Sequence, residues 1–227
     1  MNFNKIKMAI YAMYLTNLYG FKLKSKPLYS DKKKIRLKYA QQLLSKLNIQ
    51  IKVKNIEKLP QDGQFLLVSN HRSIIDPLII EIALKDTNIF GQWIAKEELS
   101  KSPFFATFVK NAGTILLNRE NKSMSDFFKK IKVSVTEGNS IFIFPEGTRN
   151  KTKTKLSSFK SGTQIIALKN RLPMLPVYIR TDADTILQSA LQNNSKTLEV
   201  EIEIGELIDY KTKISIEETY KDRFEIT

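Results

Sequence analysis

Cysteine is absent from this chain of 227 residues, and histidine occurs only once, at position 71. The first absence excludes a disulfide framework and thiol chemistry, and it is compatible with a reducing compartment. Together the two exclude ordinary zinc sites, which need several such ligands. A Mg²⁺ held by carboxylates stays open. Long apolar runs are also missing: nothing reaches the ~20 residues that cross a bilayer. The nearest stretch is Met8–Leu15, continued weakly past Asn17. It lacks a small-residue cleavage site and reads as an uncleaved surface helix ahead of a signal anchor.

Acidic residues are the scarcer charged class. Lys and Arg number 37 against 23 Asp and Glu, a formal net charge of +14. So basic a surface favours anionic partners such as acidic lipid headgroups, phosphorylated substrates or nucleic acid. Nucleic acid ranks low, because no recognised motif is present and the aromatics sit on apolar faces rather than between Lys and Arg. Apolar residues make up 42% of the chain, which supports a real core, and the length fits one domain with an appendage.

Hydrophobic periodicity divides the chain in two. Residues 3–21 place Phe3, Ile6, Ile10, Tyr14, Leu18 and Phe21 at helical spacing. A second helix is predicted over 32–47, with Leu37, Ala40, Leu44 and Leu47 on its apolar face. Its first turns carry Lys32, Lys33, Lys34, Arg36 and Lys38. Positive charge at a helix start opposes the helix dipole. The cluster is therefore either a solvated face or part of a basic element lying on an anionic membrane. From residue 49 onward short apolar strands alternate with helices: strands near 49–53, 65–68, 89–95, 114–117, 141–144, 175–179 and 198–204, helices near 77–84, 103–110, 123–136 and 159–170. This predicts an α/β domain over 49–227, a mixed central sheet flanked by helices, preceded by a membrane-docking helical element over 1–48.

Three polar clusters each follow an apolar strand: Asn70–Asp76, Asn118-Arg119 and Pro145-Glu146-Gly147-Thr148-Arg149. In open α/β sheets ligands bind outside the carboxyl ends of the strands, so the three are expected to converge if their strands are neighbours. His71 is either a structural residue or the proton-moving group. Asp76 before Pro77 is a good helix cap, and a cap can also orient an imidazole if the loop turns back on itself. Gly147 serves turn geometry on the plain reading. Arg149, followed by Lys151, Lys153 and Lys155, is a solvated basic loop or, with Arg119, a phosphate grip. Glu146 is positioned to orient Arg149 or to receive a substrate hydroxyl.

Taken together, Asn70-His71 with Asp76-Pro77, Gly113–Arg119, Phe144–Arg149 and Leu172–Val177 resemble the four blocks of the glycerolipid acyltransferase superfamily, in order. The resemblance is strongest to bacterial 1-acylglycerol-3-phosphate acyltransferases and covers residues 50–180. Trp93–Leu99 and Phe159–Gly162 also look like family segments. Asn118 stands where many members carry Asp, and residues 181–227 match nothing.

The resemblance implies transfer of a fatty acyl group from a thioester, acyl-CoA or acyl carrier protein, to a lysophospholipid hydroxyl. His71 would be the base and Asp76 its orienting partner. Lys96 and the Gly147 N–H would face the oxyanion, and Arg119, Glu146, Thr148 and Arg149 would bind substrate. No metal or prosthetic group is implied. The expected location is peripheral or monotopic on the cytoplasmic face of the membrane. A different lysolipid acceptor, or a non-catalytic lipid- or nucleic-acid-binding protein, stays open.

Overall fold

The computed structural model describes residues 3–118, 124–193 and 195–226. Arg119 therefore lies outside the described residues. Seven strands form one sheet: β1 (Ile49–Lys54), β2 (Leu66–Ser69), β3 (Gly91–Lys96), β4 (Ile115–Leu117), β5 (Ser140–Ile143), β6 (Met174–Ile179) and β7 (Leu198–Ile204). Their order is β1-β7-β6-β2-β5-β3-β4, parallel throughout except between β6 and β7. The predicted mixed sheet is what forms. The carboxyl ends of β2 to β6 consequently share one edge, with β2 beside β5, while β4 is separated from β5 by β3.

Side chains alternate between the faces of a strand, and here each face meets its own helical layer. Leu67 and Phe142 face a core shared with α1 (Phe3–Lys24), α2 (Tyr29–Lys46), α3 (Asp76–Ala83) and α7 (Ala183–Gln192). Leu66, Val68 and Ile141 face α5 (Ser125–Thr136), α6 (Gly162–Asn170) and α8 (Ile216–Phe224). A short α4 (Ala106–Asn111) completes the set. It lies so close to α1 that a Cβ on Gly20 would meet the Phe108 backbone nitrogen at 2.8 Å, a contact only glycine permits.

The boundary drawn at residue 48 marks no break in packing. Leu15 and Tyr19 of α1 and Tyr39, Leu43 and Leu44 of α2 are buried in the same core as β2 and β6. The stripe predicted for α1 is also corrected. Helix α1 buries Leu15, Thr16, Tyr19 and Leu23, whereas Ile10, Tyr14 and Phe21 stand 60%, 64% and 64% exposed. The helix carries two apolar faces, and spacing alone finds the outward one.

The basic cluster of α2 is divided as well. Lys33 is buried, donating to the carbonyls of Leu84 and Thr87, and burial lowers its pKa. Arg36 is buried against Glu81, its Nε 3.1 Å from Oε1. Lys34 and Lys38 remain exposed. Tyr39, hydrogen-bonded to Thr16, has its hydroxyl pushed up to about 12 by burial and stays neutral. Among the described residues no helix is long and apolar enough to cross a membrane.

Candidate active site

The loop after β2 turns back on itself, as a meeting of His71 with Asp76 requires. Asp76 is the first residue of α3 and not its cap; Ile75 occupies the cap position without a side-chain bond. The carboxylate points backward. Its Oδ2 accepts hydrogen bonds from His71 Nδ1 at 2.8 Å, from Arg72 N at 2.7 Å and from Ser73 N at 2.8 Å. With Asp76 only 1% exposed, these three bonds fix the loop around the carboxylate. A carboxylate only accepts, so Nδ1 carries the proton and Nε2 presents its lone pair.

The backbone of His71 is held as well. Its N–H donates to Glu146 Oε1 at 2.7 Å, and its carbonyl accepts from Asn150 N at 2.6 Å. Its ring lies flat on Phe144, centroids 4.0 Å apart and planes 10° apart. The side chain keeps 18% exposure.

Behind it, Asn70 is locked to β6: Oδ1 accepts from Ile179 N at 2.8 Å and Nδ2 donates to Ile179 O at 3.0 Å. The Tyr220 hydroxyl accepts from Asn70 N at 3.2 Å and donates to Val177 O at 2.6 Å. Burial keeps that hydroxyl well above the usual tyrosine pKa. Tyr220 belongs to α8, in the stretch the motifs leave unread. Its signal lay in the sequence as Ser215 and Glu218, a capping pair that starts the helix; Ser215 accepts from Glu218 N at 3.1 Å.

Glu146 faces inward, 3% exposed, with Oε1 on His71 N and Oε2 on Ser157 N, both at 2.7 Å. Burial raises its pKa against these bonds. The expected reach toward Arg149 or a substrate hydroxyl gives way to a clamp between two loops. Gly147 is corrected in the same sense. Its φ is 74° and its N–H donates to Phe144 O at 2.9 Å, closing the turn, so the expected oxyanion donor is committed elsewhere.

Thr148 and Arg149 are exposed, and Lys96 ends β3 on the same sheet edge, exposed as well. Arg149 lines an open cleft of about 450 Å³ with Arg72, Lys151, Asp182, Thr185 and Gln188. Arg72, which the motifs did not single out, donates to Thr154 O and pairs with Asp182 at 3.4 Å, joining the β2, β5 and β6 loops. No group of side chains suited to a metal ion occurs among the described residues.

A buried carboxylate behind an imidazole, at the carboxyl edge of a largely parallel sheet, is an arrangement in which Nε2 can take up a proton. The acyltransferase family matches residues 50–180, and the chain belongs to that family. It is 36% identical over 148 residues to the 1-acyl-sn-glycerol-3-phosphate acyltransferase of Helicobacter pylori, covering 64% of this chain and 58% of that protein. Its identity to the protein of the same description from Borreliella burgdorferi is 32% over 164 residues, 71% of this chain and 62% of that one. The chain thus spans about three fifths of these relatives' length. The crystal structure of the 1-acyl-sn-glycerophosphate (LPA) acyltransferase PlsC from Thermotoga maritima matches with a TM-score of 0.69 at 25% identity, over 97% of this chain and 92% of that one.

Proposed function

We propose that this protein transfers a fatty acyl group from an acyl thioester to the free hydroxyl of 1-acylglycerol-3-phosphate, giving phosphatidic acid. The observation that carries the reading is the His71–Asp76 bond, which leaves Nε2 as the acceptor. An alcohol becomes an effective nucleophile as a base removes its proton. Nε2 takes the hydroxyl proton while the oxygen attacks the thioester carbonyl. Asp76 stabilises the imidazolium so formed. The carbon–sulfur bond then breaks, and the imidazolium returns the proton to the departing thiolate. No enzyme nucleophile is required.

With the Gly147 N–H committed to its turn, Lys96 is the donor we retain for the oxyanion. Arg149, with Arg72 and Lys151 in the same cleft, is suited to an acceptor's phosphate, and Arg119 joins it by resemblance. Glu146 acts through the His71 backbone. The relatives, 1-acyl-sn-glycerol-3-phosphate acyltransferases, support the choice of acceptor, and the basic surface suits either an acyl-CoA or an acidic acyl carrier protein as donor.

Membrane docking belongs to the same proposal. Ile10, Tyr14 and Phe21 of α1 form an outward apolar face with lysines beside it, the pattern of a helix lying in a bilayer interface.

His71→Ala tests the chemistry. The variant keeps the backbone bonds to Glu146 and Asn150 and is expected to fold and to lose turnover; near-native turnover in folded protein would sink the proposal. A panel of lysolipid acceptors against both donor types, read by mass spectrometry, tests the substrates. Preference for an acceptor without a phosphomonoester would overturn that assignment.

A further inference from the structure

A line of side chains runs from His71 into the N-terminal helices. His71 stacks on Phe144, and Phe144 stacks on Trp93 with centroids 5.1 Å apart and planes 24° apart. The Trp93 indole N–H donates to Glu81 Oε1 at 3.0 Å. That same oxygen is the one paired with Arg36 of α2, whose Nη1 donates to Gly91 O at 2.7 Å. Both charged side chains are buried.

A hydrogen bond to Asp76 together with the Cβ–Cγ bond fixes where Nδ1 lies, and the tilt of the ring is then set by what packs on its face. A flat contact sets that tilt, because it defines the ring plane. Phe144 has no polar atom on its own side chain to anchor it, so its orientation depends on what it packs against. Trp93 has such an anchor. It also meets Phe142 edge-on, centroids 5.3 Å apart and planes 77° apart. A buried Arg–Glu pair is on its own weak support for stability, since desolvating both charges offsets their attraction. Its placement beneath the one indole of the chain gives it a second use.

We infer that Trp93, Glu81 and Arg36 are positioning residues for His71. The buried Arg36–Glu81 pair fixes the indole, and the indole, through Phe144, sets the plane in which Nε2 meets the acceptor hydroxyl. The inference rests on His71 being the base. It ties α2 to the reacting centre through a connected set of contacts.

The chain holds one histidine and one tryptophan, so both ends of the stack can be observed without assignment. In full-length protein carrying ¹³C-labelled histidine, the His71 ring gives one set of imidazole signals, shifted by the Phe144 ring current. Trp93→Leu is expected to move those signals. It should lower kcat by up to about a hundredfold, the scale of a misaimed group, with KM for acceptor and donor little changed. A purely structural role would lower the melting temperature and leave the folded protein's imidazole signals in place.

Folded Trp93→Leu with native kcat and unmoved signals, beside an inactive His71→Ala, overturns the inference and leaves the base assignment standing. Turnover surviving in His71→Ala overturns the base assignment, while the imidazole signals still decide the placement. Should Trp93→Leu fail to fold, Trp93→Phe keeps a ring and deletes the N–H to Glu81. It is expected to shift signals and kcat in the same direction by less, and no change in either overturns the inference.

Discussion

Asn70 and Ile179 are joined by a two-way bond: one side-chain amide satisfies both the N–H and the carbonyl of a single strand residue, at 2.8 and 3.0 Å. The link continues the β2–β6 ladder one residue past Ser69 and sets where His71 begins. Asn70→Ala leaves two buried backbone groups without partners. It is expected to cost about 1–3 kcal/mol, read by chemical denaturation, and to lower turnover because the neighbouring loop loses its base. Tyr220→Phe removes the hydroxyl between Asn70 N and Val177 O and should cost a similar ~1–3 kcal/mol from a residue far along the chain.

Asp76→Asn keeps the size of the side chain and removes its charge. The amide oxygen can still accept from the Arg72 and Ser73 N–H groups, so the fold should survive. With that oxygen in the place of Oδ2 it also accepts from Nδ1 and keeps the tautomer, but the imidazolium loses its counter-charge. A fall in kcat of about 10²–10⁴-fold with a small change in KM is expected. Steady-state kinetics on folded variant protein checks it, and a native kcat would remove Asp76 from the chemistry.

Glu146 supplies a pH prediction. Burial raises its folded pKa above the ordinary carboxyl value of about 4.5. Folding therefore favours the protonated form. Relative to a residue that cannot ionise, its contribution is most favourable below the unfolded pKa and is lost as pH rises through the raised folded value. The stability of the native protein minus that of Glu146→Gln should thus increase as pH is lowered from 7 toward 4.5. Denaturant midpoints of both proteins across that range measure it, and a difference that shrinks on acidification would contradict the burial argument.

The outward face of α1 gives a binding prediction. Ile10→Ser, Tyr14→Ser and Phe21→Ser together change residues that contribute little to the core. Each apolar side chain contributes about 1–2 kcal/mol when it enters an interface, so partition onto vesicles should fall by more than ~100-fold. Flotation with anionic vesicles tests this, with melting temperature as the control. Unchanged binding would rule out α1 as the docking surface.

What could be read from the sequence divides along a physical line. The strands near 65–68, 141–144 and 198–204 were legible because burial on both faces, or clean alternation, leaves a local pattern. So was the convergence of the loops after β2 and β5, since motifs at strand ends share an edge once the strands are parallel. The direction of Asp76 was not legible. Cap and clamp use the same residue type before the same proline, and only the fold of residues 71–75 decides between them. Lys33 and Arg36 looked like surface charge because their partners, the carbonyls of Leu84 and Thr87 and the carboxylate of Glu81, lie on another element. Gly147 was read both as a turn residue and as a donor; the turn takes the N–H. The helices α7 and α8 escaped notice although Asp182 and Ser215 cap them through Asp184 and Thr185 N–H and through Glu218 N–H.

The edge strand β1 pairs in parallel with β7, Ile49 lying opposite Leu198, and Lys54 reaches Glu201 at 2.8 Å. During synthesis β1 therefore emerges long before its partner. The same order governs the site: Asn70 waits for Ile179, and then for Tyr220. Because Asn70 is held both by Ile179 and by Tyr220, the histidine loop has its full set of bonds only with α8 in place. Chains interrupted before residue 220 should therefore lack activity, since a helix that carries none of the motifs supplies an anchor of the histidine loop.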